Sequence, residues 1–155
     1  MVQFEQPATF DFDRFSESAL KPLFFARSSV SEFGGASVAS EHLVLGLLRA
    51  APEVVERFLG PRDSADALTR EIKERVSTGP WVSTEVDIPL ALEVSWILRK
   101  AIGEATAGTG ASVRAEHILL AVLVTSNGTA AQVLRAHGVR ESDVRLYIGT
   151  LTDGR

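Results

Sequence analysis

Two short runs, Glu41-His42 and Glu116-His117, each place an acid beside an imidazole where an apolar stretch begins. Zinc chemistry would need ligands converging at helical spacing, such as a second His one turn further on. Neither run has one, and His42, His117 and His137 are far apart in the chain. An imidazole half-buried and hydrogen-bonded to backbone suits these residues better. Serines are many, but none stands in the strand–turn–helix setting of a nucleophile elbow; a small serine hydrolase built on a Ser/His/Asp grouping stays open as an alternative. A phosphate-binding loop requires Gly-Lys-Ser/Thr, and Lys21, Lys73 and Lys100 follow no glycine. No nucleotide site, metal site or cofactor is expected, and the chain reads as a protein without catalysis.

What the Glu-His runs can do is bind. A helix N-terminus offers free N–H groups that suit an anion. A carboxylate beside it suits a guanidinium or ammonium. Together they can hold a group carrying both charges a few ångströms apart. The plainer role for Glu41 and Glu116 is to complement the dipoles of their own helices, worth a few tenths to about 1 kcal/mol. On local physics alone this plainer role carries more weight.

The elements that must position these residues are read twice, because the chain repeats itself at an offset of 75 residues. Residues 35–48 set on 110–123 give eight identities in fourteen positions without a gap, where average residue usage gives roughly one. A first helix is predicted from Ser16, a suitable N-cap, with Ala19, Leu23, Ala26 and Val30 on one stripe. Its copy carries Val94, Ile97, Leu98, Ala101 and Ala105. Glycine breaks end both, at Gly34-Gly35 and Gly108-Thr109-Gly110. Pro22 predicts a bend in the first helix, and Gly103 weakens the second by about 1 kcal/mol relative to Ala.

A second helix starts at Ser40, with Leu43, Val44, Leu45, Leu47 and Leu48 apolar nearly all round, and its copy has Ile118, Leu119, Val122 and Leu123. Such helices sit at the centre of a bundle. Short helices follow near Pro52 and Thr129, then amphipathic ones carrying Leu68, Ile72, Val76 and Val144, Ile148, Leu151. The expected fold is all-α, eight helices as two four-helix repeats related by a pseudo-twofold. Repeat 1 covers 12–77, a linker 78–87 lays Trp81 and Val82 on a groove, and repeat 2 covers 88–151. Residues 1–11 and 152–155 are irregular tails.

Composition narrows the partners. With 155 residues, 45% hydrophobic and 23% charged, the chain is that of an ordinary globular domain. The balance of 16 Lys+Arg against 20 Asp+Glu, net −4, offers no basic patch for nucleic acid or an anionic membrane surface. No apolar stretch approaches the length of about 18 residues that a membrane span needs. Cysteine is absent, which fits a reducing compartment, and the cytoplasm is the expected location.

The repeat resembles the N-terminal double repeat of the Clp unfoldases, the domain that precedes the ATPase modules in ClpA, ClpB and ClpC. The residues carrying the resemblance are Phe15-Ser16-Glu17-Ser18-Ala19 with Ser40-Glu41-His42-Leu43-Val44-Leu45-Gly46-Leu47-Leu48 in the first copy. In the second they are Ile88-Pro89-Leu90-Ala91-Leu92 with Ala115-Glu116-His117-Ile118-Leu119-Leu120. The closing Ala131-Gln132-Val133-Leu134 and Gly138-Val139 match as well, so the resemblance spans about residues 12–151. It implies a bundle of eight helices that receives substrates and adaptor proteins for a Clp ATPase and protease complex.

In ClpC-type members each half binds phosphoarginine, the Glu meeting the guanidinium and a Thr at the first helix meeting the phosphate. Carried over, one site is Ser16 with Glu41 and the other is Glu116 with Ala91, which lacks a hydroxyl. Arg114 either attracts an anion or fills the pocket by pairing with Glu116. Leu90 takes the place of a phenylalanine at which a natural-product inhibitor of ClpC binds, an apolar groove position. The expected function is therefore a protein-binding module that recognises Clp substrates or adaptors. A decoy for Clp-directed small molecules and the N-terminal piece of a full Clp ATPase are the alternatives; the start at Met1 and the short tail after Leu151 lean towards a separate short protein.

Overall fold

The computed structural model describes residues 12–34, 37–76, 90–108 and 112–151. The expected linker, with Trp81 and Val82, and both expected tails lie outside these residues. After a 3-10 turn at Phe12–Arg14, eight helices follow: α1 Glu17–Phe33, α2 Ser40–Ala50, α3 Pro52–Glu56, α4 Ala65–Arg75, α5 Leu92–Gly108, α6 Ala115–Thr125, α7 Thr129–Ala136 and α8 Glu141–Thr150. Among the described residues there is no strand beyond two isolated bridges, and no single helix is long and apolar enough to cross a membrane. The all-α expectation holds.

The duplication is written into the helix lengths. α1 and α5 each have 17 residues, and α2 and α6 each have 11. Packing repeats too: α1 lies on α2 as α5 lies on α6, α4 meets α2 as α8 meets α6, and α1 crosses to α6 as α5 crosses to α2. The predicted stripes face inwards. Ala19, Ala26 and Val30 of α1 and Val94, Ile97, Leu98 and Ala101 of α5 are fully buried. α2 and α6 form the centre, with His42–Leu48 and His117–Leu123 all buried. Burying one such Leu or Ile side chain stabilises by about 1.5–3 kcal/mol.

Pro22 does not interrupt α1, which runs unbroken on both sides of it. The backbone around it lies close against α2. A Cβ on Gly46 would overlap the Pro22 carbonyl oxygen and lie 2.9 Å from the Ala26 nitrogen, so only glycine lets the two backbones approach this closely. At the corresponding place in the second half stands Ala121, also buried.

Each half also ties itself to the other by backbone. Phe15, just before α1, bridges in parallel to Val113, just before α6, and Leu90, just before α5, bridges to Val38, just before α2. The Ser16 N–H donates to the Val113 carbonyl at 2.8 Å, the Val113 N–H to the Arg14 carbonyl at 2.7 Å, and the Ala91 N–H to the Val38 carbonyl at 2.9 Å. The start of each half is thus laid against the Glu-His helix of the other.

Candidate functional site

At the first turns of α2 and α6 the histidines act as caps. The Ala39 N–H donates to His42 Nδ1 at 2.9 Å, and the Arg114 N–H donates to His117 Nδ1 at 2.9 Å. This is the third-residue half of a capping box, with imidazole in place of the usual carboxylate or amide. Burial lowers the pKa of both rings, and the Arg114 charge lowers His117 further. They are neutral near pH 7, with the ring proton on Nε2. The expected backbone-bonded imidazole is what the chain builds. Ser40 is the first helical residue and not the cap; its hydroxyl is buried with no partner among the described residues. Glu41 and Glu116 follow in the first turn, half-buried, each at the positive end of its helix.

The crossed bridges decide which residues share a site. A cleft of about 430 Å³ at the start of α6 is lined by Ser16, Ser18, Glu53, Ser112, Arg114 and Glu116. Ser16 therefore sits beside Glu116 of the opposite half. The within-half pairing of Ser16 with Glu41 is corrected on this point, because the backbone bond from Ser16 to Val113 carries the serine across the pseudo-dyad. Ser16 occupies the N-cap position of α1 without capping it. Its hydroxyl meets that of Ser18 at 2.9 Å, and Ser18 Oγ accepts the Ala115 N–H at 3.3 Å. Arg114 and Glu116 form no ion pair with any described residue, so Arg114 does not fill the cleft by pairing with Glu116. The cleft thus combines a guanidinium, two carboxylates, three hydroxyls and a helix N-terminus. It can receive a negative group against Arg114 and the hydroxyls, and a positive group against Glu116 or Glu53.

Residues 14–137 match the model of the Clp repeat (R) N-terminal domain. The chain belongs to that family. Among curated proteins, this Clp N-terminal domain is 28% identical over 142 residues to the "negative regulator of genetic competence ClpC/MecB" of Bacillus subtilis, covering 88% of this chain and 17% of that protein. To the chloroplastic chaperone protein ClpC2 of Oryza sativa it is 27% identical over 139 residues, 88% of this chain and 15% of that one. It therefore spans about a sixth of the length of these relatives. The crystallised N-terminal domain of ClpD from Arabidopsis thaliana superimposes with a TM-score of 0.68 at 20% identity, covering 92% of this chain and 96% of that one. The N-terminal domain of the E. coli ClpV1 ATPase gives 0.69 at 19% identity, covering 93% and 88%. These two likenesses establish the fold.

Elsewhere on the Clp N-terminal domain, Leu90 lies away from the Ser16 cleft; it is half-buried and packed on the core beside Val38. Two features were not foreseen. Leu20, Phe24, Phe25 and Arg49 border a second groove, of about 470 Å³, in which Arg49 stacks over Phe25 at 4.4 Å. The only signal for it was the pair Phe24-Phe25, whose first ring points outwards and is 66% exposed. His137, ending α7, reaches the first half: Nδ1 lies 2.7 Å from Asp63 and Nε2 2.6 Å from Glu71. Hydrogen bonding to Glu71, and then to Asp63, raises its pKa against the opposing effect of burial.

Proposed function

We propose that this domain is a non-catalytic, cytoplasmic receptor that recognises substrates or adaptor proteins of a Clp ATP-dependent chaperone–protease. It holds them through a side chain carrying both charges, of phosphoarginine type, in the cleft of Ser16, Arg114 and Glu116. Family membership supports the receptor role, since Clp N-terminal domains are the non-catalytic part of Clp ATPases. The observation that carries the finer reading is the cleft itself, where unpaired groups of opposite charge and serine hydroxyls flank one helix start. A phosphoryl group would lie against Arg114, Ser16 and the N–H groups of α6, and the guanidinium it modifies against Glu116.

Calorimetry with free phosphoarginine tests the pocket. Charge-assisted hydrogen bonds are worth about 1.5–3 kcal/mol, so Arg114→Ala or Glu116→Ala is expected to weaken binding roughly 10-fold or more. Glu41→Ala should leave it unchanged. Equal binding by wild type and both cleft variants would refute the assignment. The receptor role is tested separately, by native mass spectrometry with the Clp ATPase and peptidase of the same cell; association with neither, together with no client peptide bound, would end it.

A further inference from the structure

The pseudo-twofold sets a second pocket position at the start of α2, and this chain has altered it. At the 75-residue offset Ser16 corresponds to Ala91, Ser18 to Glu93, Arg114 to Ala39 and Glu53 to Gly128. The pocket that remains has lost its cation and two hydroxyls, and its second carboxylate has moved from the place of Glu53 to that of Ser18. Glu93 is not free to swing away: its Oε2 accepts the Ser126 hydroxyl at 2.5 Å, and Ser126 Oγ in turn accepts the Gly128 N–H at 3.0 Å. Arg135 fixes this turn from behind through the Ser126 carbonyl at 3.1 Å. The point at which a side chain on Gly128 would begin is 3.6 Å from Glu93 Oε2 and 3.5 Å from Ser40 Oγ. Ser40 is 1% exposed and its hydroxyl has no partner among the described residues. A buried, unpartnered hydroxyl and a fixed carboxylate therefore face one small space at a helix N-terminus. At the other end of the dyad the same place is held by the neutral Ser18 hydroxyl, bonded to the first N–H of α6.

We propose that Glu93 is a built-in anion at the start of α2, and that it makes this domain a single-site receptor for negatively charged ligand groups, open at the α6 cleft alone. The carboxylate takes the position that an incoming phosphate would need and repels it, while the loss of Arg114's counterpart removes the attraction. The count of sites rests on the phosphoarginine reading given above; the exclusion of anions at α2 does not.

NMR amide shifts in the intact domain separate the two. Inorganic phosphate and free phosphoarginine are titrated into wild type, Glu93→Ser and Glu93→Gln, with far-UV circular dichroism to confirm folding. Glu93→Gln keeps an acceptor for Ser126 and removes only the charge. In wild type the Ser40, Glu41 and Gly128 amides should not respond. In both variants they should titrate with phosphate, and in Glu93→Ser combined with Ala39→Arg, which restores the cation, the phosphoarginine stoichiometry should rise from one to two. Response of those amides in wild type, or silence in both folded variants, would overturn the proposal. Silence of the α6 cleft towards phosphoarginine in wild type would instead remove the pocket reading, leaving the phosphate response at Ser40 and Gly128 to decide the role of Glu93.

Discussion

Replacing Gly46 by alanine should destabilise this domain although alanine is the better helix former. In an open helix the exchange is worth about 1 kcal/mol in favour of alanine. At Gly46 the added methyl overlaps the Pro22 carbonyl oxygen and sits 2.9 Å from the Ala26 nitrogen and 3.0 Å from the Pro22 carbonyl carbon. All three are backbone atoms of α1 and cannot rotate aside. The whole helix must shift, which strains the packing of Ala19, Ala26 and Val30 in the core. Small-to-large changes in packed interiors cost about 1–3 kcal/mol, and displacing a backbone belongs at the upper end. After the propensity gain the net loss is about 1–2 kcal/mol, or a fall in Tm of about 2–8 °C for a domain of this size. Gly103 is the internal control. It is exposed on α5, nothing lies within 4 Å of an added methyl, and Gly103→Ala should stabilise by up to about 1 kcal/mol. Thermal and urea unfolding followed by circular dichroism would measure both. A Gly46→Ala variant as stable as wild type would refute the backbone-contact argument.

His137 gives a pH prediction with a definite sign. Its folded pKa is raised, so the stability it supplies is complete below its unfolded value of about 6.5 and is lost as pH rises through the raised value. The Tm gap between wild type and His137→Gln should be widest near pH 6 and narrow towards alkaline pH; a gap that widens instead would contradict the clamp. Ser64 caps α4 by accepting the Ala67 N–H at 3.1 Å, and Ser64→Ala should lower unfolding free energy by about 1 kcal/mol, read by urea denaturation. Leu47→Ala, at the fully buried centre of α2, should cost about 2–5 kcal/mol; a loss under 1 kcal/mol would mean that α2 is not central.

The fold was legible because it rests on periodic burial, and the stripes of α1, α5, α2 and α6 are complete in the chain. The duplication then doubled every inference. The site was less legible for a physical reason. Ser16 and Glu41 lie on adjacent helices of one half, and nothing in their spacing says that Ser16 is carried to Val113 by a backbone bond. Such crossings are made by N–H and carbonyl groups common to all residues, so side-chain patterns are silent about them. His137 was hidden likewise: its partners Asp63 and Glu71 belong to the other half, and the bonds join residues more than sixty positions apart.

That division between backbone and side chain also explains how the two halves came to differ without losing register. The bridges Phe15–Val113 and Leu90–Val38, and the N–H bonds to His42 and His117, draw on backbone at one or both ends. Substitution at the pocket lining therefore leaves the frame intact. Exchange of Ser18 for Glu93, or of Arg114 for Ala39, changes the charge of a pocket whose walls are set elsewhere. A duplicated domain built in this way can keep the pocket lining of one half and change that of the other. The differences that matter for binding are then to be sought among residues 16–18, 39–41, 91–93 and 114–116, where the frame is fixed and the chemistry is free to vary.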